Sequence, residues 1–329
     1  MPVTIFREQE IREVMNFPEA IASMEQAFAS YSAGKAMVPP VVHLDVPENE
    51  GEIHIKAAYV LGTPTYTIKI ASGFYKNKER GLPLSGGMML VFDSQNGFPL
   101  AFLLDNGFLT DFRTAAAGAV ASKYLSVQDV KQVAAIGAGM QGRLQIEALL
   151  CVRNFKSVKV YDHKQSNIDR YLHDMQQRFQ SIEFQQARSV EEAFDGSQIV
   201  ITATPSRQPI VRSQWIQPGV HITALGSDGP HKQELDADVF SKADRVIADS
   251  IEQCIKLGEI HHAVEHGIIT RDDIDGELGQ VVSGEIPARK SNSEVTICDL
   301  TGVGVQDAFI AALAFQKASA KKPGQKFEL

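Results

Sequence analysis

The chain has 329 residues, a length that suggests about two domains. Hydrophobic residues make up 44% and charged residues 22%, the balance of an ordinary globular protein, which excludes a disordered, collagen-like or disulfide-stapled chain. Thirty-two Lys and Arg against 40 Asp and Glu give a net charge of −8 with no basic run, so no nucleic-acid partner is expected.

Cys151, Cys254 and Cys298 are odd in number, far apart and outside any C-x-x-C pattern. They read as reduced thiols filling core positions, with neither a disulfide framework nor a zinc site. No uncharged apolar run reaches the roughly 18 residues of a membrane helix. The N-terminal MPVTIFREQEIREVM is charged throughout and lacks the apolar core of a signal peptide. A soluble, cytoplasmic protein with no membrane partner is expected.

In chain order, residues 7–33 predict a helix, because Ile11, Val14, Met15, Ile21, Met24, Phe28 and Tyr31 recur at steps of three and four. Pro39-Pro40 ends it. Residues 41–105 read as strands: VVHLDV, EIHIKAAYV, TYTIKIASGFY and MMLVFD are short, β-rich segments separated by Gly, Asn or Pro. The QNG at 95–97 predicts a hairpin turn of type I′. RTAAAGAVASKYL, rich in small residues, predicts a helix packed closely on a neighbour. Strands and helices then alternate. Strands are expected at QVAAIGAG, SVKVYD, QIVITAT, HITAL, RVIADS and EVTICDL, and helices at QGRLQIEALLCVR and NIDRYLHDMQQRF. Such alternation implies a parallel sheet with helices on its faces. A last helix is expected at roughly 305–318, and the tail KKPGQKFEL is expected to be peripheral.

The sharpest motif is Gly137-Ala-Gly139-Met140-Gln141-Gly142. It follows an apolar strand, opens a helix, and is followed 20 residues after Gly142 by Asp162 at the end of the next strand. That is the full dinucleotide-binding fingerprint. Gly137 permits the tight turn, Gly139 lets backbone approach a pyrophosphate at the helix N-terminus, and Gly142 allows helix and strand to pack closely. Asp162 can accept from ribose hydroxyls and would repel a 2′-phosphate, which favours NAD(H). His163 and Lys164 leave NADP(H) open. The fold class is α/β: a Rossmann-type doubly wound sheet over residues 116–304, with an N-terminal α+β domain of residues 1–115 that the chain rejoins at 305–329.

Four runs carry a family resemblance: Phe112-Arg113-Thr114-Ala115-Ala116-Ala117, the GAGMQG loop, GSDGPHKQEL at 226–235, and LTGVGVQD at 300–307. In order and spacing the chain resembles the ornithine cyclodeaminase/mu-crystallin family, and within it the imino-acid reductases and proteins linked to ectoine utilisation. The resemblance implies a homodimer whose first domain binds substrate and pairs across the dimer. It also implies hydride exchange between nicotinamide and the α-carbon of an amino or imino acid.

The resemblance places Arg113 on the substrate carboxylate, which a guanidinium grips as a fork. It places Lys69 in the same pocket, on the carboxylate or in proton transfer, with burial lowering its pKa. It makes Asp228 the general acid/base beside the substrate nitrogen. Thr114, Thr204, Ser227 and Val303 join Met140 and Gln141 as candidate cofactor contacts. Two departures bear on substrate. Ornithine cyclodeaminase has an Arg at the position of His43 and a Glu, for the distal amine, at that of His54, and these two positions are eleven residues apart here as well. Lys56 replaces a frequent Met. His43, His54 and Lys56 make ornithine a poor fit and favour a small cyclic or an acidic imine. His261 and His262 are assigned no metal, since neighbouring side chains diverge.

The expected activity is therefore NAD(P)H-dependent reduction of small 2-imino acids, such as Δ1-pyrroline-2-carboxylate to proline. The alternatives are a cyclodeaminase that recycles NAD and releases ammonia, an alanine-type dehydrogenase, and a crystallin-like binding protein without turnover.

Overall fold

The computed structural model describes residues 2–321 and 324–328. The chain divides into two compact units, Met1–Arg113 with Val303–Leu329, and Thr114–Gly302.

The first unit is built on an eight-stranded sheet. Its centre is an antiparallel run of Gly51–Val60, Thr65–Phe74, Ser85–Asp93 and Pro99–Leu104. Val42–Val46 and Ala36–Met37 both pair with Gly51–Val60. The helices Phe17–Ser32 and Gly304–Lys321 pack on each other, and the second also packs on the central strands. Alternation splits the sheet into two faces. Thr67, Lys69, Met89 and Val91 are buried, while Ile68, Ile70, Met88 and Leu90 on the opposite face are not.

The N-terminal helix expected over 7–33 is in fact three elements: a strand Pro2–Arg7, a short helix Glu8–Arg12 and the helix Phe17–Ser32. Pro18 has no N–H to continue a helix but suits a first turn, and the Asn16 side chain caps the new start by accepting the Glu19 N–H at 3.1 Å. Pro2–Arg7 is β-branched and half-buried and pairs in parallel with Pro99–Leu104. The tail, expected only as peripheral, supplies an exposed edge strand, Gln325–Glu328, antiparallel to Pro2–Arg7. The hairpin at 95–97 exists but is not type I′. That turn needs two left-handed residues, and here Gly97 (φ 77°) is left-handed while Asn96 is not. The loop is longer, closed by Gly97 N–H to Asp93 O at 2.9 Å.

The second unit is an eight-stranded parallel sheet. Its order is Glu183–Gln186, Ser157–Tyr161, Gln132–Ile136, Ile199–Thr202, His221–Ala224, Thr296–Asp299, Arg245–Ala248, Gly276–Glu277. Strand order reverses between Gln132–Ile136 and Ile199–Thr202, the switch point where doubly wound sheets bind ligands. The central strands are buried on both faces, so they read as apolar runs. The helix Phe108–Leu125 continues into this unit, where a Cβ on Gly118 would lie 2.0 Å from Gln145 Oε1. This is the close packing that the small residues predict. Cys254 and Cys298 are buried, but Cys151 is exposed. It lies just past the end of the helix Met140–Leu149, in a turn and not in the core. Among the described residues no helix is long and apolar enough to cross a membrane.

Candidate functional site

In the first unit, antiparallel register places Lys69 opposite Lys56 and opposite Met89. The helix Gly304–Lys321 brings Asp307 to the same face. Lys69 Nζ lies 2.8 Å from Asp307 Oδ2, and Arg113 Nε lies 3.1 Å from Asp307 Oδ1. All three side chains are under 8% exposed. Burial drives the Lys69 pKa down to about 7; Asp307 opposes this, while Arg113 and Lys56 add to it. Burial alone would raise Asp307, but Lys69, Arg113 and Lys56 together hold it below the usual carboxylate range. Within the trio one carboxylate faces two cations, so the trio carries an excess of positive charge. An incoming carboxylate offsets that excess.

The sequence reading assigned no role to Asp307, although it ended one of the quoted runs. The signal was an acid set in an otherwise small and apolar helix segment. It also passed over Asp105, which is 1% exposed. Its Oδ2 accepts the Leu109 N–H at 2.8 Å, and burial pushes its carboxyl up to about 6.

His43 and His54 are direct cross-strand partners with ring centroids 4.6 Å apart. Each also meets an acid: His43 Nε2 lies 2.8 Å from Asp45 Oδ1, and His54 Nε2 lies 3.8 Å from Glu52 Oε2. His54 and Lys56 share the face of Lys69, as alternation requires. His43 is exposed and His54 part-exposed, and neither is seated in the buried trio.

In the second unit the glycine loop joins Gln132–Ile136 to Met140–Leu149. Gly137 has φ 109°, and a Cβ there would lie 2.6 Å from Ala203 O. A Cβ on Gly142 would lie 2.0 Å from Gly137 O, so helix and strand touch backbone to backbone. A Cβ on Gly139 would meet nothing within 4 Å. The helix has Gly139 as its N-cap with no side-chain cap, and a helix N-terminus of this kind suits an anion. The loop thus fits a dinucleotide pyrophosphate. Arg143 Nη1 braces it from below, donating to Ala138 O at 2.7 Å.

Asp162 is tied more tightly than its expected ribose role implies. Oδ2 accepts the Ala138 N–H at 3.0 Å, and Oδ1 accepts from Lys164 N–H at 2.9 Å and Asn167 Nδ2 at 3.1 Å. It is both the acid at the strand end and an anchor of the glycine loop. Thr204 and Ser227 follow neighbouring strands at their C-terminal ends. The Ser227 hydroxyl donates to Lys232 O at 2.6 Å. Asp228 Oδ1 lies 2.6 Å from Lys232 Nζ, and its side chain is 56% exposed. Met140 is exposed, and Gln141 Oε1 accepts from Gln145 Nε2 at 3.4 Å. Thr114 O accepts from Gln145 Nε2 at 3.0 Å. Val303 falls in the first unit, where its N–H donates to Gln306 Oε1 at 2.7 Å.

Among the described residues, His261, His262 and Glu265 bring donor atoms within 4.8 Å of one another. Ligands of one tetrahedral zinc at about 2.1 Å sit roughly 3.4 Å apart. His261 Nδ1 and His262 Nε2 already face the carbonyls of Ile255 and Lys232, at 2.9 and 2.8 Å.

The chain is similar to known proteins over nearly its whole length. The family model described as "Ornithine cyclodeaminase/mu-crystallin family" matches residues 3–322. An uncharacterized cyclodeaminase of Sinorhizobium fredii is 42% identical over 326 residues, 98% of each chain. The Δ1-pyrroline-2-carboxylate reductase of Thermococcus litoralis, solved with NADH and L-proline, superposes with a TM-score of 0.93 at 32% identity, over 98% of this chain and 99% of that one. The iminosuccinate reductase of Paracoccus denitrificans, solved with NAD+, gives 0.92 at 30% identity over the full length of both.

Proposed function

The chain belongs to the ornithine cyclodeaminase/mu-crystallin family, and from that premise we propose that it is an NAD(P)H-dependent reductase of small 2-imino acids, with Δ1-pyrroline-2-carboxylate to proline as the representative reaction. The observation that carries this reading is the buried trio of Lys69, Arg113 and Asp307, whose positive excess suits an α-carboxylate. Arg113 and Lys69 hold that carboxylate. Asp228, exposed and paired with Lys232, holds the proton that activates the imine nitrogen. Lys69, with its pKa near 7, is able to exchange a proton at working pH. The Gly137–Gly142 loop and Asp162 hold the dinucleotide. NADH, when bound, supplies the hydride that reduces the C=N carbon.

The cyclodeaminase reading has a 42% identical relative in its favour. Against it stands His54, beside Lys56, where ornithine cyclodeaminase has a Glu for the distal ammonium; the Glu52 carboxylate, 3.8 Å away, already faces His54 Nε2. An acidic imine such as iminosuccinate fits these cations as well as the cyclic one does. The deciding experiment pairs two assays on one sample. One follows NADH and NADPH oxidation with Δ1-pyrroline-2-carboxylate and with iminosuccinate. The other follows ammonia and proline from ornithine with catalytic NAD. Cofactor oxidation in the first alone supports the reductase; ammonia and proline in the second overturn it.

The same reading makes the first unit the substrate and dimerisation domain and the protein a homodimer. Ile53, Ile55, Ile68, Ile70, Met88 and Leu90 share the outer face of its sheet, and none is buried. A second copy is the occupant that this self-complementary apolar face suits. Light scattering on Ile70→Lys, expected to shift the protein to monomer, tests it.

A further inference from the structure

We propose that Glu234 is a positioning residue: its buried carboxyl group clamps the backbone at Thr204 and Gly226, and through Gly226 it fixes the placement of Asp228. The proposal rests on the reading of Asp228 as the acid/base.

Glu234 is 0% exposed. Its Oε1 accepts the Thr204 N–H at 2.6 Å and its Oε2 the Gly226 N–H at 2.9 Å. Ile199–Thr202 and His221–Ala224 are parallel neighbours, with Thr202 beside Ala224. Thr204 and Gly226 lie just beyond the ends of these strands, and there one carboxyl group ties the two together. The fit excludes any side chain at 226: a Cβ would lie 2.2 Å from Thr204 O and 2.4 Å from Glu234 Oε2. Gly226 is therefore glycine because the clamp occupies its Cβ space.

The clamp is itself held. Glu259 accepts the N–H groups of Glu234 and Leu235, at 2.7 and 2.9 Å. Asp299 Oδ2 accepts the Ile260 N–H at 2.9 Å, and a Cβ on Gly258 would lie 2.2 Å from that same oxygen. Three buried carboxyl groups thus succeed one another, each accepting from backbone N–H and two of them excluding a side chain from a glycine. Stability alone is a poor reason for such a stack, since apolar residues fill a core at lower desolvation cost. What it supplies is precision in a loop that bears chemistry. Residues 226–232 are rooted by Glu234 at one end and closed at the other by Ser227 Oγ and His262 Nε2 on Lys232 O. Asp228 stands between these anchors.

Glu234→Gln keeps the shape but turns an NH2 toward one of the two N–H groups. The expected result is a kcat at least tenfold lower, with NADH dissociation constant and imine KM changed less than threefold. The double variant with Asp228→Asn should be no slower than Asp228→Asn alone. An unchanged kcat in Glu234→Gln, a parallel loss of NADH affinity, or losses that multiply in the double variant would each overturn the proposal. Full activity in Asp228→Asn alone would overturn the reading of Asp228 and the proposal together, which the single variants distinguish. Should Glu234→Gln fail to fold, Gly226→Ala, which pushes a methyl against Glu234 Oε2, must give the same split, and an unchanged kcat there overturns the proposal.

Discussion

Asp307 reaches Lys69 across 2.8 Å in a site where both side chains are almost wholly buried, and it holds Arg113 with its other oxygen. Removing the acid leaves two buried cations, Lys69 and Arg113, confronting each other. Breaking a buried pair from one side costs about 3–5 kcal/mol, because the remaining charge is stranded. Asp307→Asn should therefore lower the melting temperature strongly, and a saturating carboxylate ligand such as L-proline should restore part of the loss. A melting temperature within a degree of wild type would show that Asp307 does not neutralise the cluster.

The same pair sets a pH dependence. Lys69 has a folded pKa of about 7, lowered chiefly by burial. Below that pH it is protonated and attracts a carboxylate; above it the charge and the attraction fade. Affinity for a non-basic ring carboxylate, pyrrole-2-carboxylate, should weaken as pH rises from 6 to 8, by at most about tenfold per unit. NADH affinity, which depends on the other unit, should stay level over that range. Lys69→Met should flatten the carboxylate profile. Calorimetric titration at several pH values provides the measurement, and an equally steep profile in Lys69→Met would remove Lys69 from carboxylate binding.

How much of this was legible beforehand follows from the range of each interaction. The parallel sheet of the second unit was readable because its central strands are buried apolar runs, and the glycine loop because its spacing is local; the edge strands Glu183–Gln186, largely polar and exposed, and Gly276–Glu277, only two residues long, carry no such signal. The break at Phe17-Pro18 was missed because the apolar spacing runs on at helical intervals across it, so periodicity outvoted a helix-starting proline. The Gln325–Glu328 strand was missed because a polar edge strand owes its existence to its partner, Pro2–Arg7, at the other end of the chain. Asp307 and Glu234 stand in the runs 300–307 and 226–235, yet local sequence assigns neither a role. Their partners, Lys69, Arg113, Thr204 and Gly226, come to them only through folding, and no spacing rule links residue 69 to residue 307.

Asp162 combines two tasks that are usually separable. With a dinucleotide on the glycine loop as proposed, its charge would oppose the 2′-phosphate of NADPH, and NADH should be the preferred reductant. Its oxygens also hold Ala138 N–H and the start of the following helix. Removing the charge by Asp162→Ala should thus weaken NADH binding without a compensating gain for NADPH, because the loop loses its anchor. Fluorescence titration of both cofactors decides the matter. A variant that binds NADPH tenfold more tightly than wild type would show that repulsion alone was the role of Asp162.

His221 makes the last prediction, about stability and not turnover. It is fully buried, with Nδ1 2.9 Å from Thr296 Oγ1 and Nε2 3.0 Å from Thr223 Oγ1. Burial, followed by the nearby Arg289 charge, pushes its pKa down to about 3. An unfolded histidine titrates near 6.5. Between these values the unfolded chain binds a proton that the folded one refuses, so stability is intact above about pH 6.5 and declines as pH falls toward 3. This group contributes about 1.4 kcal/mol per pH unit to that decline. Glu234 and Asp299, pushed up to about 7 and about 8, have the opposite sign: the folded chain holds their protons, and stability is lost as pH rises through those values. Only a difference between proteins isolates His221. Urea unfolding of wild type and His221→Gln at pH 7, 6, 5 and 4.5 should give stability curves that converge on acidification, because the variant lacks the titration. Curves that stay parallel would mean that His221 takes up its proton in the folded state as readily as in the unfolded one.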